Sequence, residues 1–138
     1  MVELSQPSQL SPIAIEIGIE RGEWGAGNAS VTLDIESRHC NKGGVAHGGL
    51  YTMMLDMALG GSLVSILPKS EWCATTQLNV SFITAAKPGE KITAKGNVVK
   101  RGRNVAHLEG KIITESGRVV ATSTGTWAIW DHKPASMS

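Results

Sequence analysis

The stretch Asn41–Leu67, NKGGVAHGGLYTMMLDMALGGSLVSIL, decides how this chain is read. From Gly48 onward it holds only glycine, apolar and hydroxyl-bearing residues, with one acidic exception, Asp56. The length approaches the roughly 20 residues of a membrane span. However, Asp56, three glycines, two serines and a threonine interrupt Gly49–Leu67, and no basic anchors flank its start. The segment therefore reads as a buried helix starting near Gly48. A helix apolar round most of its circumference has to be covered on most sides.

The flanking sequence supplies the cover. Downstream lie CATTQLNVSFIT (Cys73–Thr84), KITAKGNVVKRG (Lys91–Gly102), NVAHLEGKIITE (Asn104–Glu115) and RVVATSTGTWAIW (Arg118–Trp130). Each is rich in β-branched residues, and KPGE, RGRN and ESGR break them apart. Upstream, AIEIGIERG from Ala14 and ASVTLDIES from Ala29 alternate apolar and other residues around EWGAGN, which predicts an antiparallel strand pair with a glycine-rich turn. Short connections imply antiparallel neighbours. The expected fold is α+β, one long central helix wrapped by a curved antiparallel sheet of about five to six strands. It forms a single domain over residues 1–138 with its core at about 13–130, and the polar ends, Met1–Ser11 and His132–Ser138, are expected to fray.

Asp56 has no evident structural reason to be where it is. It lies beyond the first turn, where a carboxylate would meet the helix dipole favourably, and no basic residue stands three or four positions away. Such a carboxylate either faces solvent through a gap, accepts hydrogen bonds from a strand, or is a base or nucleophile in a dry site. Ahead of the helix, NKGGVAHGGL offers Asn41 and His47 around a glycine-rich turn, followed by Gly48 and Gly49. Glycine lets a backbone approach a ligand closely, and the free N–H groups of a helix start suit a carbonyl oxygen that becomes negative. At 1.5 Å per residue, roughly 12 Å separates Gly48 from Asp56, too far to act on one carbonyl. A two-fold dimer with antiparallel helices would bring Asp56 of one chain opposite Gly48 of the other.

Composition narrows the classes. Thirteen basic residues against twelve acidic ones leave no surplus to drive nucleic-acid binding. Two cysteines, Cys40 and Cys73, are too few for a disulfide framework or a zinc site and predict a reducing setting. The N-terminus lacks the pattern of a signal peptide, so a cytoplasmic location is expected.

Asn41, His47-Gly48-Gly49 and Asp56, followed by TTQLNVSFITAAKPGEKITAKGNVVKRGR and GRVVATSTGTWAI, resemble the hotdog-fold acyl-CoA thioesterases. The similar branch includes the phenylacetate-degradation thioesterase, thioesterase superfamily member 2 and the 4-hydroxybenzoyl-CoA thioesterases. The resemblance covers about Ile13–Ile129 and implies hydrolysis of a coenzyme A thioester. By position, Asp56 matches the family nucleophile or general base, and Gly48 the backbone N–H that polarises the carbonyl. Asn41 matches a side chain placing carbonyl or water, and His47 a pocket residue. Thr75 matches the hydroxyl that orients water, with Thr76 the alternative by one register step. Gly49 and Thr76 are expected to touch substrate. Aspartate at position 56 favours the phenylacetate-type branch. The resemblance also implies no metal or redox cofactor, coenzyme A being part of the substrate, and a homodimer assembled into a tetramer without nucleic acid or membrane.

Two other readings stay open, a hydratase or dehydratase on acyl thioesters and a non-catalytic acyl-CoA sensor. Lys100, Arg101 and Arg103, at a strand end and hairpin turn, could hold coenzyme A phosphates or be a solvated turn. Cys40 beside His39 makes a poor Cys–His pair, because adjacent residues in an extended segment face opposite ways. A metal site from His39, Cys40 and His47 lacks suitable spacing. His107 and His132 have no partner that sequence names. Trp72, Trp127 and Trp130 are expected in the core or an interface.

Overall fold

A computed structural model describes residues 2–137. Its elements in chain order are α1 (Pro12–Ile17), β1 (Glu20–Gly25), β2 (Asn28–Asp34), α2 (Gly48–Val64), β3 (Trp72–Phe82), β4 (Lys91–Arg101), β5 (Val105–Thr114) and β6 (Val119–Trp130), with short 3-10 turns at Ser37–His39 and Ala135–Met137. The six strands form one antiparallel sheet in the order β1-β2-β4-β5-β6-β3, so β1 and β3 are its edges. No helix among the described residues is long and apolar enough to cross a membrane.

α2 lies on the sheet, chiefly over β4 and β2. Its side chains Met54, Leu55, Leu59 and Leu63 are fully buried, each worth about 1.5–3 kcal/mol of transfer free energy. Opposite them the sheet presents Val31, Ile92, Leu108, Ile112 and Val120. The helix comes this close because the strands under it carry glycine: a Cβ on Gly96 would fall 2.5 Å from the Ala58 carbonyl oxygen, and one on Gly110 would strike Leu59.

The expected first strand pair needs correction. Ala14–Ile17 alternates like a strand, yet Pro12–Ile17 is a short helix; Pro sits in its first turn and Gly18, at φ 100°, ends it. β1 therefore begins only at Glu20, and the turn to β2 is Ala26-Gly27 alone, with Glu23, Trp24 and Gly25 in the strand. In the N-terminal segment Leu4 bridges Pro68, and the Ser5 N–H donates to the Leu67 carbonyl (2.9 Å). Trp127 is buried, Trp72 is half-buried and Trp130 is 45% exposed, so of the two expected places, core or interface, the core takes Trp127. α2 itself is not covered all round. Gly49 and Asp56 are exposed, and Thr52, Met53, Met57, Gly60 and Val64 are half-buried, leaving one stripe of the helix open.

Candidate active site

The loop ahead of α2 is closed by its own backbone. The His47 N–H donates to the His39 carbonyl (2.9 Å), the Asn41 N–H to Val45 (2.9 Å) and the Gly44 N–H to Asn41 (3.0 Å), with Gly44 at φ 79° to make the turn. A further bond from the Ala46 N–H to the Ala86 carbonyl (2.8 Å) pins the loop to the segment between β3 and β4. The Asn41 Oδ1 accepts the Gly43 N–H (2.8 Å), which fixes the amide and turns its NH₂ toward other acceptors. His47 is the residue before the helix and its side chain makes no capping hydrogen bond. Of the first-turn N–H groups, that of Leu50 donates back to the His47 carbonyl (3.0 Å), and those of Gly48 and Gly49 are the ones a helix start leaves available. Phe82, at the end of β3, covers this start so closely that a Cβ on Gly48 would fall 3.2 Å from its ring. Asn41, His47, Gly48 and Gly49 are accordingly one group.

Asp56 belongs to a second group. Its carboxylate is exposed in the single chain, and Oδ1 accepts the Thr75 hydroxyl of β3 (2.7 Å). A β-bulge between Thr75 and Gln77 separates the two threonines: Thr75 reaches α2, while the Thr76 hydroxyl donates to the Thr126 carbonyl of β6 (2.9 Å). Of the two candidates, Thr75 is the one that touches Asp56. The buried Cys73 thiol is pushed up to about 12, first by burial and then by the charge of Asp56, so it stays protonated.

From Asp56 a groove of about 560 Å³ runs along the open stripe of α2, over Met57, Gly60, Gly61 and Val64. Trp24, Trp72 and Trp127 wall it, Arg21 and Lys133 stand at it, and Ser5 and residues 8–11 of the N-terminal segment contribute one side. The close fit uses the two glycines, since a Cβ on Gly60 or Gly61 would meet Trp127 or Trp24 respectively at 3.4 Å. A polar hollow of about 590 Å³ on the outer sheet face, among Asn79, Lys95, Glu109, Lys111 and Thr122, lies apart from Asp56.

The basic cluster forms a third group, at the β4–β5 turn. Arg101 pairs with Glu71 (2.5 Å), just ahead of β3, while Lys100 and Arg103 are exposed. His107 is exposed on β5, and His132 contacts Asp131 (2.9 Å). The residues sequence reasoning missed are Trp24, Met57, Gly60, Gly61, Val64 and Phe82. Gly60 and Val64 could have been found, since they follow Asp56 at helical spacing; Trp24 and Phe82 carry no such signal.

Comparison with known proteins agrees with this architecture. The Thioesterase superfamily profile matches residues 43–121, more than half of the chain. The Pseudomonas aeruginosa protein PA0474, which carries an esterase name, is 32% identical over 98 residues, covering 70% of this chain and 72% of its own. Mouse acyl-coenzyme A thioesterase 13 is 23% identical over 95 residues, covering 68% and 67%. Among solved structures, a Streptococcus pneumoniae thioesterase protein with coenzyme A superimposes with TM-score 0.76 at 25% identity, covering 85% of this chain and 92% of that one. The conserved P. aeruginosa protein PA5202 gives TM-score 0.83 at 25% identity, covering 88% and 95%. The antiparallel sheet wrapped on one long helix is the hotdog fold, and the chain belongs to the thioesterase superfamily, as a thioester hydrolase.

Proposed function

We propose that this protein hydrolyses acyl-coenzyme A thioesters at a site completed by two copies of the chain. The observation that carries the reading is Asp56, an open carboxylate oriented by Thr75 at the head of an apolar groove. Apolar walls suit an acyl group, and a fixed carboxylate suits delivery of water or attack on a carbonyl. Within one chain, the free N–H of Gly48 lies roughly 12 Å from Asp56 along the helix, too far to serve the same carbonyl.

The β3 edge suggests how the halves meet. Thr75, beside Asp56, and Phe82, beside Gly48, lie toward opposite ends of this strand. Antiparallel pairing of two β3 edges about Leu78–Asn79 would set Thr75 against Phe82 of the partner subunit. The carboxylate of one chain would then face the helix start of the other. In this arrangement the Gly48 N–H receives the thioester oxygen. Asp56 either takes a proton from water, whose oxygen adds to the carbonyl carbon, or adds directly to give an anhydride that water then opens. In both routes the C–S bond breaks, and coenzyme A leaves as a thiolate and takes up a proton. The exposed Lys100 and Arg103 suit its phosphates, whereas Arg101 is already neutralised by Glu71.

The test is thiol release across short, long and aromatic acyl-CoAs, by wild type and Asp56→Asn. Turnover is expected on part of the panel, with the variant lower by about a thousandfold and its fold intact. Near-normal hydrolysis by Asp56→Asn sinks the assignment.

A further inference from the structure

His39 is a buried polar side chain that the chemistry above does not use; its exposure is 8%. Its Nδ1 accepts the Glu36 backbone N–H (2.9 Å), and its Nε2 lies 2.7 Å from the Ile17 carbonyl oxygen. An amide N–H only donates and a carbonyl only accepts, so these two partners select the neutral ring with its proton on Nε2. Ile17 is the last residue of α1, whose terminal carbonyls also receive the Arg38 guanidinium, at Glu16 (2.8 Å) and Ile17 (2.9 Å). In the other direction, the carbonyl of His39 accepts the His47 N–H and so closes the base of the loop that carries Asn41 and delivers Gly48. The imidazole thus joins the Arg38 guanidinium in pinning that base to α1, and it is the buried member of the pair.

We propose that His39, held between Glu36 and Ile17 as the neutral Nε2–H tautomer, is the positioning residue for the Asn41 loop and the Gly48 oxyanion donor. The proposal rests on the thioesterase reading of the site. A second proton on the ring would sit on Nδ1 and face the Glu36 N–H, donor against donor, and the loop base would have to shift. The charged groups beside the ring are Glu36 and Arg38, which pair with each other (2.8 Å), and the Cys40 thiol donates to the Glu36 carbonyl (3.5 Å). α1 offers the ring a carbonyl.

The experiment has two arms. In the first, His39→Phe keeps the ring's bulk without either bond, and kcat and KM are measured separately alongside melting and oligomeric state. The expected result is kcat lower by about tenfold or more with KM within about twofold, because misplacing a donor by an ångström weakens the transition state more than the ground state. A kcat within about twofold of wild type overturns the proposal. In the second arm, which does not need that variant to fold, long-range ¹H–¹⁵N spectra follow the His39 tautomer and the Gly48 amide on lowering the pH. His47→Asn serves as background, so that the imidazole adjoining Gly48 does not report. An Nε2–H tautomer, and a Gly48 amide that moves as His39 takes its second proton, support the proposal. An Nδ1–H tautomer or an indifferent Gly48 amide overturns it. Failure to release thiol from any acyl-CoA would remove the thioesterase reading and leave the spectra to decide the coupling.

Discussion

The two edges of the sheet are built in opposite ways. β1 has six residues, three of them charged (Glu20, Arg21 and Glu23), and an irregular register against β2 between Arg21 and Trp24. Charge, shortness and irregularity are the usual means of keeping an edge from recruiting another strand. β3 has eleven residues, WCATTQLNVSF, without a charge or a proline, and ends on Phe82, followed by Ile83; these two are 58% and 54% exposed. The edge that is blunted carries no candidate catalytic residue. The edge left open carries Thr75, and through Thr75 it holds Asp56. We read that difference as a surface reserved for a second copy of the chain.

The comparison breaks most visibly if charge is moved onto β3. Asn79→Lys would set two ammonium groups near the proposed two-fold axis, where like charges across strands repel. Sedimentation should then give a monomer, with activity at dilute protein lower by about a hundredfold, as a site without its oxyanion donor requires. Glu23→Lys on β1 should leave both readouts near wild type, and a fully active monomer of Asn79→Lys would refute the shared site. The next effect is smaller and concerns one hydrogen bond. Thr75→Ala frees the Asp56 carboxylate and should lower kcat by about tenfold, in keeping with roughly 1.5 kcal/mol for a bond to a charged group. Thr76→Ala should cost less than about twofold, because its hydroxyl serves only the β6 backbone. If the two variants lose activity equally, Thr75 has no special part. The smallest effect is chemical labelling. With its thiol pushed up to about 12, Cys73 should resist alkylation at mildly basic pH while half-exposed Cys40 reacts. Asp56→Asn should quicken labelling of Cys73 slightly, since the carboxylate is the lesser of the two causes. Rapid modification of Cys73 in the folded wild type would contradict the placement of this thiol beneath Asp56.

Much of this architecture was legible in the chain because its signals are local. The helix start at Gly48 follows from glycines before an apolar run, and strands β3 to β6 from β-branched segments between turn residues. Asp56 stood out because nothing within its own helix could pair with it. α1 was misread because Ile13, Ile15 and Ile17 alternate as a strand would, whereas Pro12 and Gly18 are the stronger punctuation of a single helical turn and a half. The consequence reaches the loop ahead of α2, since a strand there would not have turned its last carbonyls toward Arg38 and His39. Position along the chain also could not separate Thr75 from Thr76, because the bulge that sends one to α2 and the other to β6 exists only in the pairing of β3 with β6.

By itself, then, the sequence determined the long helix, the order of the strands after it and the family, all of which depend on residue type and spacing along the chain. Tertiary structure decided which threonine meets Asp56, which tryptophans wall the groove and which edge of the sheet stays open. Those depend on distances between residues far apart in the chain, which only packing and strand register fix.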